Sequence, residues 1–403
     1  VDFDDLVALT VELLERNAEI AAQWRARFAH IVADEFQDVD EQQYRLLRLL
    51  AGPSGNICVI GDPNQAIYGF RGADATCFER FASDFPGAQC VRLARNYRST
   101  GTIVTAASQL VGAAPEGITR PMQDRVVLHA AASERSEAEF VAETIEDALG
   151  GHDLLTTNTT KPNGKEAGTP LGFADFAVLY RTDMQAAALR EAFDRAGIPF
   201  KKSSPAPLAG HPGVEAILAV LKAQDETSAA ADLPARIAAA AEAAQREETA
   251  DAAALAEARG WLTALAASEA VAGDETRFRE QVALSTEADF HDRRADRVSL
   301  MTMHAAKGLE FQVVFVVGLE HGLVPFSWDS EADGIEPEER RLFYVAMTRA
   351  KDRLFLTRAV ERFWRGAKRA LPPSPFLRDI AEDLTTRNVP AKRRQKAQQY
   401  SLF

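Results

Sequence analysis

Asp34 and Glu35 follow directly on the apolar triplet Ile31-Val32-Ala33 and open the run Asp34-Glu35-Phe36-Gln37-Asp38. A carboxylate pair at the end of a strand can hold Mg2+ through one member while the other orients or deprotonates an attacking water, the chemistry of phosphoryl transfer. An acidic turn with no chemistry has the same composition, so context decides. That context is a second strand-like run, Ile57 to Ile60, leading into Gly61-Asp62-Pro63-Asn64-Gln65-Ala66-Ile67-Tyr68-Gly69-Phe70-Arg71-Gly72-Ala73. A glutamine able to face a phosphate is joined here by a short loop to two aromatic rings. Base stacking on such rings is worth about 1–3 kcal/mol per base and ignores sequence. The alternative puts Tyr68 and Phe70 in a core.

Three further segments carry suitable groups. Leu93-Ala94-Arg95-Asn96-Tyr97-Arg98-Ser99-Thr100 offers a ring and a guanidinium, a planar, permanently charged phosphate ligand, although a helix cap with an exposed arginine reads equally well. Thr302-Met303-His304-Ala305-Ala306-Lys307-Gly308-Leu309-Glu310-Phe311 places His304 and Glu310 before a valine-rich run. Glu338 to Lys351 opens acidic and closes basic around Arg349, a pattern that capping of a helix dipole alone would explain.

The elements that must position these groups alternate in type. Helical spacing over Asp4 to Leu50 is interrupted by the strand at 31–33, and each short apolar strand ends in acidic or turn residues, as in a parallel α/β sheet whose ligands sit at strand ends. The signals then repeat: a strand at Val126 to Leu128, a helix from Ser136 to Leu149, a strand at Ala177 to Tyr180 and a helix from Asp183 to Ala196. Gly150 to Gly172, rich in Gly, Thr, Asn and Pro, is expected to be a surface loop. Residues 207–288 turn alanine- and glutamate-rich with helical periodicity, predicting a small helical insertion. Strands return at Val298 to Met303, Val313 to Val317 and Leu354 to Thr357, with a helix over Glu338 to Arg349. The expected division is 1–95, an incomplete first α/β domain; 96–206 and 289–380, a second one split by the insertion; and 381–403, a basic disordered tail.

Composition narrows the classes. With 403 residues, 46% of them hydrophobic, the chain can bury two or three cores. The apolar run Phe311 to Leu319 is too short to span a bilayer. Three scattered cysteines give neither a disulfide framework nor a zinc site, which fits a reducing cytoplasm. A net charge of -13 argues against coating duplex DNA nonspecifically but leaves room for a narrow single-strand channel.

In their order, DEFQD, GDPNQAIYGFRGA, LARNYRST, TMHAAKGLEF and EERRLFYVAMTRAK resemble motifs II to VI of superfamily 1 DNA helicases of the UvrD/PcrA/Rep type. VLYRTDMQAAALREAFDRAGIPF also looks like that family's second motor domain, whereas similarity fades in the insertion. The resemblance implies two RecA-like parallel-sheet motor domains, with ATP and Mg2+ as cofactors. It implies that Asp34 and Glu35 serve metal and water, and that Gln65, Arg98 and Arg349 contact the γ-phosphate, Arg349 as an arginine finger. It further implies that Tyr97 stacks on adenine, Glu310 bonds the ribose, and Tyr68, Phe70 and His304 meet DNA. The family often has tryptophan where this chain has Phe70. Expected partners are single-stranded DNA and single/double-strand junctions, with 3′ to 5′ movement in DNA repair or replication, in the cytoplasm on the nucleoid.

No segment fits the phosphate loop G-x-x-x-x-G-K-[ST] that such a motor needs, and Asn163-Gly164-Lys165-Glu166 lacks both its first glycine and its hydroxyl residue. A start at Val1 leads us to expect that the loop lies upstream and that this stretch alone does not hydrolyse ATP. The alternative is a non-hydrolysing DNA- and clamp-binding module; a scaffold with relic motifs is a third reading. At the C-terminus, Gln399-Tyr400-Ser401-Leu402-Phe403 resembles the Q-x-[SD]-L-F peptide that binds sliding clamps, with Gln399, Leu402 and Phe403 as the contacts.

Overall fold

The computed structural model describes residues 3–52, 55–74, 76–115, 117–150, 171–203, 207–224, 232–247, 249–271, 273–286, 296–327, 337–364 and 366–388. The loop expected over 150–172 (except 150, 171 and 172) and the C-terminal peptide lie outside these residues.

The chain opens with helices α1 (Phe3–Arg16) and α2 (Ala18–Arg27), then strand β1 (Ile31–Ala33), helix α3 (Glu41–Ala51), strand β2 (Ile57–Val59) and helix α4 (Cys77–Asp84). β1 and β2 pair in parallel, Ile31 opposite Ile57. Asp40 starts α3 with a capping box: its carboxylate accepts from the Gln43 amide at 2.9 Å and the Gln43 side chain accepts from the Asp40 amide at 3.2 Å. Phe36, Tyr44, Cys77 and Phe81 form the core beneath these elements.

The second sheet is larger. It draws on α5 (Gly101–Leu110), β3 (Val126–Ser133), α6 (Glu134–Ala148), β4 (Phe176–Tyr180), α7 (Ala186–Ala196) and β5 (Phe200–Ser203). Helices α8 (Pro212–Gln224), α9 (Leu233–Arg246), α10 (Ala252–Ala266) and α11 (Glu275–Leu284) interrupt it. It resumes with β6 (Val298–Thr302), β7 (Phe311–Val316), α12 (Pro337–Met347), β8 (Ala350–Trp364), β9 (Ala367–Ala370) and β10 (Thr385–Asn388). The strand order is β10-β3-β8-β7-β4-β6-β5, parallel throughout, with β9 antiparallel on β8.

β4 shows why this sequence makes a central strand. All five of its residues are buried. Ala177 and Leu179 face the layer of α5 and α12, while Phe176, Val178 and Tyr180 face α6 and α7. A continuous apolar run is what a parallel strand covered on both faces requires, and each large side chain so buried contributes about 1.5–3 kcal/mol.

The expected α/β architecture with a helical insertion holds. The insertion has its own core, including Ile217, Ile237, Leu262 and Phe278. Its ends meet: Pro207 bridges Thr286 and the Leu208 amide donates to the Ser285 carbonyl at 2.8 Å. One expectation is corrected. The disordered tail placed from residue 381 does not begin there, because Ile380 and Leu384 are buried and β10 adds an edge strand beside β3. Thr385-Thr386-Arg387-Asn388 has no apolar alternation to announce a strand; backbone pairing makes it one. Among the described residues no helix is long and apolar enough to cross a membrane.

Candidate functional site

The turn after β1 is held in an unusual conformation. Glu35 has φ 50°, the only non-glycine with positive φ among the described residues, and its amide donates to Asp34 Oδ1 at 2.9 Å. Gln37 is buried, and its Oε1 accepts from the Asp62 amide at 2.9 Å, which joins the β1 turn to the β2 turn. Gly61 makes room for this bond, since a Cβ there would lie 2.2 Å from that oxygen. Asp62 in turn accepts from the Asn64 amide and from Gln65 Nε2, both at 2.9 Å, so the Gln65 side chain is oriented before any ligand arrives.

The second sheet presents cations to this assembly. Lys307 Nζ donates to Asp38 Oδ2 at 2.5 Å and to the Gln65 carbonyl at 2.8 Å, and lies 3.4 Å from Glu35 Oε2. Burial raises the Asp38 pKa despite that ammonium. Arg341 Nε donates to the Ala66 carbonyl at 2.6 Å. Arg349 is only 1% exposed and donates to the carbonyls of Val345 at 3.0 Å and Leu309 at 3.3 Å. Its Nη2 reaches Gln65 Oε1 at 3.5 Å. Burial, then the neighbouring charge of Arg98, pulls the Arg349 pKa down to about 10.

Arg98 Nε donates to Glu310 Oε1 at 2.5 Å, and Lys351 Nζ lies 3.1 Å from Glu310 Oε2. Burial opposes ionisation of Glu310, but Lys351 and Arg98 outweigh it and hold the carboxyl below its ordinary range. Arg120 secures the loop behind Arg98, donating to the carbonyls of Arg98 at 2.6 Å and Lys351 at 3.1 Å. These groups border an open cleft of about 870 Å³ that Gln65, Tyr97, Arg98 and Glu310 line together. The ring of Tyr97 is 69% exposed there, available to a planar base.

The donor set suits Mg2+. Asp34 and Glu35 are exposed hard carboxylates, and the Lys307 ammonium beside Glu35 and Asp38 shows that this point calls for positive charge. Among the described residues no three His, Cys, Asp or Glu side chains converge as a metal cage. An ion here would be shared with substrate phosphates and water, the usual mode for Mg2+.

Past Gln65 the loop runs into the aromatics. Phe70 is 66% exposed, which excludes the core alternative for it; Tyr68 is half-buried against the second core. The Tyr68 and Phe70 rings are 6.0 Å apart, and His304, after β6, approaches them at 6.4 and 5.7 Å. Lys307 Nζ also sits 5.3 Å from the Tyr68 ring. The structure therefore brings together every expected residue except Gln399, Leu402 and Phe403, which lie outside the described residues. Sequence reasoning did not single out Gln37, Asp38, Lys307, Arg341, Arg120 or Lys351. All but Arg120 lay inside quoted motifs, but most of the partners that give them roles lie far along the chain.

Residues 1–86 match the family described as UvrD/REP helicase N-terminal domain, and residues 91–234 and 265–361 match UvrD-like helicase C-terminal domain. The gap between the two C-terminal matches falls in the insertion. The chain is 28% identical over 498 residues to an ATP-dependent DNA helicase PcrA from Leuconostoc citreum, covering 100% of this chain and 64% of that protein. It is 32% identical over 492 residues to an ATP-dependent DNA helicase UvrD1 from Mycobacterium tuberculosis, covering 95% and 62%. The chain thus spans less than two thirds of the length of these curated relatives. With both matched regions in order and residues of four of the five motif segments lining one cleft, the chain belongs to the UvrD/REP helicase family.

Proposed function

We propose that this chain is the greater part of an ATP-dependent motor that moves 3′ to 5′ along single-stranded DNA and opens single/double-strand junctions. The observation that carries the reading is the loop at Gln65. Lys307, Arg341 and Arg349 hold its backbone and side chain from the second sheet, and three and five residues later it presents Tyr68 and Phe70. A change in phosphate occupancy moves the same loop that carries the rings.

In this mechanism the two sheets close on ATP. Tyr97 stacks on the base and Glu310 takes the ribose once Arg98 leaves it for the γ-phosphate. Arg349 loses the cost of its burial when phosphate oxygens neutralise it. Mg2+ bound with Asp34 and Glu35 would neutralise phosphate charge, while Glu35 orients and deprotonates the attacking water. DNA lies across Tyr68, Phe70 and His304, with stacking supplying sequence-blind grip.

The test has two arms. In anisotropy titrations with oligothymidylate the chain binds, and Phe70→Ala weakens binding by about 1–3 kcal/mol without lowering the melting temperature. In a protein that supplies the phosphate loop as well, Glu35→Gln abolishes DNA-stimulated ATPase and keeps DNA binding. Turnover surviving in that variant would remove Glu35 from the mechanism. A second reading, binding of DNA and clamp without hydrolysis, is favoured for this stretch alone because it contains no G-x-x-x-x-G-K-[ST] segment. It predicts no ATPase from these 403 residues. It also predicts clamp binding by a peptide spanning 393–403 that Leu402→Ala with Phe403→Ala destroys.

A further inference from the structure

A cavity of about 640 Å³ lies on the opposite edge of the second sheet from the insertion-bearing strands. Its floor is aliphatic: Leu128 of β3, Leu356 of β8, and Leu377 and Ile380 of the segment that crosses below them. Three arginines, Arg358, Arg378 and Arg387, surround it. Register explains the arrangement. Arg387 pairs with Leu128 and Leu128 with Leu356, so these three form one row across about 10 Å of sheet, with Arg358 two residues further along β8.

The surroundings offset only one of these charges. Glu382, which also lines the cavity, pairs with Arg387 at 3.8 Å in solvent, and Asp379 is taken by Arg340 at 2.5 Å. No carboxylate among the described residues lies within the 4.0 Å of an ion pair to Arg358 or Arg378. In a chain of net charge -13 this is a cationic island over an apolar floor. The buried hydroxyl of Ser374, which also lines the cavity, has no hydrogen-bond partner among the described residues. Beside the cavity β10 ends the sheet, and its residues 386–388 are exposed.

We propose that this cavity and strand edge form a docking site for an acidic peptide segment of a partner protein. The segment extends along β10, sets an aliphatic side chain on the Leu128-Leu356-Leu377-Ile380 floor and places carboxylates against Arg358 and Arg378. Ser374 supplies a hydrogen bond to its backbone. Among the described residues β10 is paired on one side only, and such an edge provides the main-chain bonds of strand addition, while the pocket with its charged rim provides the selectivity. Nucleic acid fits less well, because the one aromatic ring that lines the cavity among the described residues, His129, is 7% exposed and already stacked on Phe140 at 3.6 Å, which leaves little face for a base.

The experiment is a fluorescence anisotropy titration of the full chain with a fluorescein-labelled probe peptide, Asp-Glu-Asp-Leu-Asp-Leu-Glu-Asp. The probe binds and is released by salt, and the double variant Arg358→Glu with Arg378→Glu weakens it about tenfold or more. Because neither arginine has an ion-pair partner among the described residues, that variant keeps the parent's circular dichroism and melting temperature. A control peptide with both leucines replaced by glycine binds at least about fivefold more weakly, reporting the apolar floor. Absence of probe binding, equal binding by the variant, or equal binding of the glycine peptide overturns the proposal. A loss of oligothymidylate binding as large as the loss of peptide binding overturns it in favour of a nucleic-acid surface.

Discussion

Arg349 is expected to destabilise the fold that contains it. Its guanidinium is almost wholly buried, and its hydrogen bonds go to neutral groups: the carbonyls of Val345 and Leu309, the Thr348 hydroxyl and the Gln65 amide oxygen. The fall of its pKa to about 10, caused by burial and then by Arg98, corresponds to about 3 kcal/mol against the charged form. The folded-state value lies below the unfolded one, so this penalty is complete at every pH below about 10 and fades only as pH rises beyond it. Neutral pH is therefore the right place to look. Arg349→Met keeps the length of the side chain and removes the charge. The Val345 carbonyl retains the Thr348 hydroxyl at 2.9 Å, whereas the Leu309 carbonyl loses a donor, a cost of about 1 kcal/mol. The net expectation is a gain of about 1–2 kcal/mol, or about 2–6 °C in melting temperature by scanning fluorimetry. A Met variant that melts below its parent would show the guanidinium to be net stabilising and would refute the argument. In a protein able to turn over ATP, the same variant should lose that activity while it gains stability.

Lys307→Met leaves the Asp38 carboxylate, already raised by burial, facing Glu35 without a cation, and should cost about 2–3 kcal/mol in urea unfolding. Since a raised carboxyl stabilises the fold below its pKa and loses that effect above it, the deficit should shrink as pH falls, and Asp38→Asn should restore part of it. Arg362→Met leaves Glu137 and Glu320 buried together without their shared guanidinium, a loss of about 3–5 kcal/mol. Burial and Glu137 already raise the Glu320 pKa, so this variant should regain melting temperature between about pH 7.5 and about pH 5.5; a flat profile would contradict the assignment.

The sequence made legible whatever rests on local pattern. β4 is an unbroken apolar run and β7 is broken only by the half-buried Gln312, and the motif strings name the cleft residues without reference to structure. β5, β9 and β10 escaped because Phe200-Lys201-Lys202-Ser203, Ala367-Lys368-Arg369-Ala370 and Thr385-Thr386-Arg387-Asn388 carry no period-two signal; neighbouring strands recruit them through backbone bonds. β8 runs from Ala350 to Trp364, far past Thr357, since Arg362 is buried through its pairing with Glu137 and Glu320. The roles of Lys307 and Arg341 could not be read locally, because their partners stand 242 to 275 positions away.

The clasp between Pro207 and Thr286 bears on how such proteins diversify. With entry and exit fastened together by the bridge and by Leu208 on Ser285, the sheet sees the same two anchor points whatever the chain does between them. The entropy of closing that loop is met at the clasp, and each doubling of its contents adds only about 0.6 kcal/mol. Helices with a separate core can thus be lengthened, trimmed or exchanged at this position without disturbing β5 against β6 or the cleft beyond. Grafting a foreign helical module between residues 207 and 286 should leave the cleft residues in register, which makes this neck a port for exchanging one helical module for another.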